Sequence, residues 1–232
     1  MKTSDLSTKD LEQMKRLKEH AEQVEKWSEV LEKEKPGIPA ITLIVMAQDY
    51  AGVDRIDKEF REGRMNFKTA STLIGSFARF EWALLQFKNG KVSPETFFEM
   101  LPDLWVSSDP DDKSEETLNL WREAKKRNGG IVYDDKRFKI PFSPWIGFIE
   151  IFRGQSEDSP FGMSWSTVQD VANRFARGAG KRCFVPGVVY RALVRESNVY
   201  AYLNKRGEFE LIINPAKLEC VELVARWVKK EG

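Results

Sequence analysis

The chain has 232 residues, 41% of them hydrophobic, 12% aromatic and 31% charged. That balance excludes wholesale disorder, a peptide-sized scaffold and a long repeat array, and it leaves enough apolar surface for a real core. Lys and Arg number 37 against 36 Asp and Glu, for a formal net charge of +1, so no overall field draws the protein to nucleic acid or membrane, and any basic site is local.

Residues 7–33 read as one amphipathic helix, with apolar Leu11, Met14, Leu17, Ala21, Val24 and Trp27 at helical spacing and Lys35, Pro36 and Gly37 as its stop. The only histidine, His20, lies between those apolar positions and reads as a solvated helix residue. A serine triad, a Cys-His dyad or a histidine metal helix would each need it, so the available chemistry belongs to carboxylates, hydroxyls, arginines and lysines. Residues 1–10 do not read as a signal peptide. The longest apolar stretch, 38–47, is interrupted by Pro39 and Thr42 and falls short of the ~20 residues a membrane helix needs.

Residues 38–88 suggest two or three helices, with helical patterns over 41–50 and 69–87, the second apolar around most of its surface and therefore buried. Asn89 and Gly90 end it, and Ser93 followed by Pro94 marks the N-terminus of a short helix to Leu101. The acidic run Asp109, Asp111 and Asp112 reads as a solvated turn near a helix N-terminus, because it lacks the glycine and terminal glutamate of a calcium loop. Ser114 then opens a helix through Trp121 that closes at Asn128, Gly129 and Gly130.

The character changes at Ile131. Short β-type runs follow at 145–153, 188–194, 199–203 and 208–213, with one helix between them at 168–177, opened by Thr167 with Asp170 as its capping-box partner and closed by Gly178. The expected fold is α+β: a helical region over 1–130 packed on a β domain over 131–232, the two forming one compact unit. Cys183 and Cys220 stand far apart with no histidine or cysteine at ligand spacing, which predicts no zinc site and no disulfide framework and points to a reducing, cytoplasmic setting.

Three motifs in the β half combine residue types suited to chemistry. Arg153 ends an apolar run and is followed by Gly154, which allows close backbone approach; a guanidinium there suits a phosphate, although a structural ion pair is its commoner role. Ser164 and Ser166 share one face of an extended segment with Trp165 on the other, so they serve either as turn hydroxyls or as a pair that orients a ribose or amide. Glu208 and Glu210 project together from a strand while Phe209 points away, which is either ordinary edge charge or a carboxylate pair for sugar chemistry with an oxocarbenium-like transition state.

In this order, with Ala172 and Phe175 in the intervening helix and the strands around Tyr190 and Tyr200, the motifs resemble the arginine-serine-glutamate class of mono-ADP-ribosyltransferases over roughly residues 149–215. Trp165 stands where a small hydroxyl residue is commoner in that family, and ten residues separate Arg153 from Ser164, a short interval. The resemblance implies a β core of two small sheets enclosing an NAD cleft, with NAD as substrate and a protein or nucleic acid as acceptor of ADP-ribose. It implies that Arg153, beside Gly154, holds the pyrophosphate, that Ser164 and Ser166 scaffold the nicotinamide ribose, that Glu210 is the catalytic glutamate, and that Glu208 deprotonates or orients the acceptor. Residues 201–207, with Tyr202, Lys205 and Arg206, would take the place of the family's target-recognition loop.

No Gly-x-Gly-x-x-Gly or Walker loop is present, so a Rossmann mode of NAD binding is not expected. Residues 151–207 hold nine Lys or Arg against four Asp or Glu, a local basic bias suited to a pyrophosphate. The helical half, with Trp105 and the Leu120-Trp121-Arg122 run, is similar to phage and prophage proteins. Two other readings stand beside the enzyme: a non-catalytic nucleotide- or nucleic-acid-binding module on the same fold, and a protein-interaction domain that uses the helical half.

Overall fold

Among the described residues, the apolar periodicity of the first part of the chain is realised in the computed structural model as five helices: α1 (Thr8–Glu34), α2 (Ala40–Arg61), α3 (Phe67–Leu73), α4 (Ser76–Lys88) and α5 (Pro94–Val106). The structure describes residues 8–34, 40–108, 110–135, 137, 140, 147–178 and 187–227. Residues 35–37, expected to stop the first helix, and also Asp109 and Cys183, lie outside the described residues.

Leu31, Met46 and Ala47 form the buried contact of α1 with α2, flanked by Val24 and by Trp27, whose ring stacks on Tyr50 at 4.9 Å. His20 is exposed, as its position on the helix predicts. Helix α2 runs well beyond residue 50 because Asp57, buried on its inner side, is fully partnered: Trp82 Nε1 and Gln86 Nε2 each donate to it at 3.0 Å, and Arg61 pairs with its other oxygen.

The single helix expected over 69–87 is two. Asn66 caps α3 through Thr69 N, and the carboxylate of Asp49 sits where a Cβ on Gly75 would stand while accepting from Phe77 N at 3.1 Å, so a side chain from α2 caps α4 and splits the run. Helix α5 continues through Pro102 instead of stopping at Leu101; the proline forfeits one backbone bond and is buried, as are Phe97, Leu101, Leu104 and Trp105 of the same helix.

Two compact units make up the chain, Met1–Pro110 and Asp111–Gly232, so the division falls at residue 110 and not at 130. The shift moves α6 (Glu115–Arg127), capped by Ser114, into the β unit. Helix α6 packs on strand β5 (Val199–Leu203), and Lys125 secures it there by donating to the carbonyl oxygens of Ser197 at 3.0 Å and Val199 at 2.6 Å; burial pushes the Lys125 ammonium down.

The second unit carries β1 (Val132–Tyr133), β2 (Phe148–Gln155), β3 (Ser164–Ser166), β4 (Val188–Arg195), β5, β6 (Glu210–Ile213) and β7 (Glu219–Arg226). Among the described residues they pair into one seven-stranded sheet, in the order β1-β5-β6-β3-β2-β4-β7, where two small sheets were expected. Only the β1–β5 pairing is parallel. Ile149, Ile151, Trp165, Ala192, Leu211 and Ile213 pack on one side as the core of this unit. On the other side α7 (Gln169–Ala176) lies on β2. The Thr167–Asp170 capping box does not form: Val168 occupies the N-cap without a side-chain bond, and Ser166 Oγ accepts the Val168 amide at 3.0 Å instead.

Candidate functional site

Alternation along the strands decides what reaches the cleft. Trp165 points into the core and donates its indole N–H to the Gly162 carbonyl at 3.0 Å, so Ser164 and Ser166 face the opposite way. Ser166 sits directly across from Glu210 in the β3–β6 ladder. Ser164, one diagonal step away, donates its hydroxyl to Glu210 Oε1. The Ser166 hydroxyl is committed to the Glu208 carbonyl oxygen at 2.7 Å, tying the approach to β6 onto β3.

Strands β2 and β3 pair at Phe152 and Ser166, and next to that pairing the residues of β2, β3, β6 and α7 line a cleft of about 330 Å³. Its volume is at the small end of the roughly 300–1,000 Å³ common for ligand sites. Arg153, Gly154, Ser164, Ser166, Glu208 and Glu210 all line it, and the Ala172 and Phe175 of α7 do so too. Six residues expected from three separate motifs are therefore brought into one place.

Each of them also makes contacts within the protein. Arg153 is held by the protein: Nε donates to Gln155 Oε1 at 2.6 Å, and Nη1 donates to the Ser164 carbonyl and pairs with Asp112 Oδ2 at 2.8 Å. Gly154 makes a close approach to α7, since a Cβ there would stand 2.0 Å from the Ala172 carbonyl oxygen. Glu208 precedes β6, because Phe209 adopts a left-handed φ of 50° and the strand begins at Glu210; it still reaches the cleft and pairs with Arg206 at 2.6 Å. Glu210 is 7% exposed, the most enclosed carboxylate of the group.

Residues 201–203, expected in a recognition loop, are strand β5, and Tyr202 is buried in the core. The exposed turn is shorter, Asn204 to Phe209. Asp134 accepts the backbone N–H groups of Asn204 and Lys205 at 2.9 Å, and Asn204 Oδ1 accepts Phe209 N at 3.1 Å. The cleft lining holds Lys113, Arg153 and Arg206 against Asp112, Glu208 and Glu210, so the basic bias of residues 151–207 is not concentrated there.

The sequence assigns no role at the site to Asp112, Gln155, Asp134 or Asn204. Strand alternation alone foreshadows Gln155, which is two residues beyond Arg153 on the same strand face. It does not foreshadow Asp112, which belongs to the run expected as a solvated turn and is brought to Arg153 only by folding. No described helix is long and apolar enough to cross a membrane, and no cluster of three or more His, Cys, Asp or Glu side chains among the described residues is arranged to hold a metal ion. No family model, curated protein or solved structure matches the chain.

Proposed function

We infer that the protein is a mono-ADP-ribosyltransferase that cleaves the nicotinamide–ribose bond of NAD and passes ADP-ribose to a macromolecular acceptor. The observation that carries this reading is the enclosed Glu210 carboxylate, held by the Ser164 hydroxyl, in the same small cleft as the Arg153 guanidinium. An enclosed carboxylate favours a cationic centre and an arginine favours a phosphate, so the pair suits a ligand that carries both, as NAD does with its pyridinium and pyrophosphate.

In this reading the carboxylate of Glu210 stabilises the positive charge that develops on the ribose as the glycosidic bond lengthens, and the bond's electron pair leaves with neutral nicotinamide. The acceptor's nucleophile then bonds to the anomeric carbon and loses a proton to Glu208, the more exposed of the two carboxylates. Ser164 donates to the Glu210 carboxylate and Ser166 donates to the Glu208 backbone carbonyl, so β3 holds both residues, while the Glu208 carboxylate itself pairs with Arg206.

Nicotinamide release from labelled NAD, measured with and without cell extract, tests the reading. Glu210→Gln keeps an acceptor for the Ser164 hydroxyl and removes the charge, so release is expected to fall by ~10²-fold or more while the thermal melt is retained. Wild-type release by that variant removes Glu210 from the mechanism. Separation of labelled protein from labelled nucleic acid names the acceptor class. NAD binding without release or transfer favours the second reading, a binding module, which is supported by the pairing of both cleft arginines with carboxylates of the protein itself.

A further inference from the structure

The segment before α6 is laced onto the cleft by three contacts that converge on Asp112. Its carbonyl oxygen accepts the Met163 amide at 2.8 Å, one residue before β3. Its carboxylate packs on Gly162, where a Cβ would stand 2.0 Å from Oδ2. The same Oδ2 lies 2.8 Å from Arg153 Nη1, and the two side chains are only 21% and 13% exposed, so this pair is far better shielded than the surface ion pairs of the β4–β7 edge.

The donors of Arg153 can be counted. Gln155 takes the Nε hydrogen, and Ser164 and Asp112 share Nη1, which leaves Nη2 as the fork's arm without a described protein partner. A phosphate oxygen arriving at Nη2 meets a guanidinium whose charge is already balanced and a carboxylate on the neighbouring nitrogen. A bidentate grip, the strong mode for arginine and phosphate, needs a second donor beside Nη2: Nε is taken by the neutral Gln155 side chain, and Nη1 is shared by the Ser164 carbonyl and by Asp112, the one anionic partner.

We propose that Asp112 is a built-in anionic competitor at Arg153, a carboxylate that occupies the phosphate position of the cleft and yields it to a phosphate-bearing ligand, thereby setting the affinity and charge selectivity of the site. The proposal rests on the reading of the cleft as a site for a phosphate ligand, and it does not require that the ligand be cleaved. It also gives Gly162 a function: the absence of a Cβ there is what lets the carboxylate reach Arg153.

Calorimetric titration with inorganic pyrophosphate, and separately with NAD, tests this in the full chain. Asp112→Asn removes the competing charge and is expected to tighten pyrophosphate binding by about tenfold. Gly162→Ala leaves every charge in place and drives the Asp112 side chain off Arg153, so it is expected to tighten binding in the same direction. Adding Arg153→Gln to Asp112→Asn should abolish the gain. Unchanged or weaker binding in both single variants overturns the proposal, as does a gain that survives loss of Arg153 or the absence of pyrophosphate binding throughout. In wild-type protein the Asp112 carboxyl carbon resonance should shift on addition of pyrophosphate, and a static resonance also overturns it. Tighter pyrophosphate binding without any nicotinamide release would uphold the competitor and sink the transferase, so the two failures are distinguishable.

Discussion

A Cβ at Gly154 would stand 2.0 Å from the Ala172 carbonyl oxygen and 2.6 Å from the Ala176 nitrogen, both backbone atoms of α7 that cannot swing aside as a side chain would. Gly154→Ala therefore has to push α7 off β2, disturbing the buried contact of Phe152 with Ala172 and Ala176. We expect a loss of about 1–3 kcal/mol, the cost of overpacking a well-filled contact. At ~2–4 °C per kcal/mol for a chain of this size, that is visible in a thermal melt. Glu210→Gln is the opposite case, with chemistry lost and the melt retained. An unchanged melt for Gly154→Ala would mean that α7 is free to move, and the close approach would then have no bearing on the shape of the cleft.

At the scale of elements, the turn from Asn204 to Phe209 is what brings Glu208 to the cleft rim. It is closed from both sides: Asp134 takes two backbone amides, the Asn204 side chain takes the Phe209 amide, and Gly207 and Phe209 both adopt positive φ. A phenylalanine at φ 50° is held there only because its neighbours require it. Asn204→Ala removes the acceptor of the Phe209 amide, and we expect about 1 kcal/mol of destabilisation together with faster hydrogen exchange at that amide. Exchange as slow as in the wild type would show that the turn holds without Asn204. This turn also marks the limit of what the sequence carries. Strand alternation was sufficient to put Ser164 and Ser166 on one face and Trp165 in the core, because period-two spacing is a local property. The left-handed Phe209, the split of α3 from α4 by Asp49 and the reach of Asp112 to Arg153 each depend on a partner distant along the chain or on a backbone state that residue type disfavours. The two unforeseen strands have the same origin: β1 is two residues long and gains its identity only from parallel pairing with β5, and β7 contains a left-handed Cys220 and irregular register against β4, which blurs its alternation.

At the scale of the whole molecule, every residue lining the cleft belongs to the unit Asp111–Gly232. The composition shift at Ile131 is a change of secondary structure that lies inside the compact unit Asp111–Gly232. Leu118, Trp121 and Ala124 of α6 are buried, Lys125 is bonded to the carbonyls before and within β5, and Arg122 donates to the Tyr200 hydroxyl at 3.4 Å. Removing α6 would uncover that apolar surface and leave three carbonyls without their lysine, a combination of lost burial and orphaned polar groups that a small sheet cannot absorb. A chain beginning at Asp111 is therefore expected to melt cooperatively, and one beginning at Ile131 to show no cooperative transition. The longer of the two also keeps Asp112 and the complete cleft, so it is expected to release nicotinamide from NAD within about threefold of the full chain, a difference well under 1 kcal/mol in barrier height. Equal folding of both truncated chains would make α6 an accessory to the sheet. Cooperative melting of the Asp111 chain without nicotinamide release would assign a part in the reaction to the five helices of Met1–Pro110, whose deletion would then be the only difference between an active and an inactive protein.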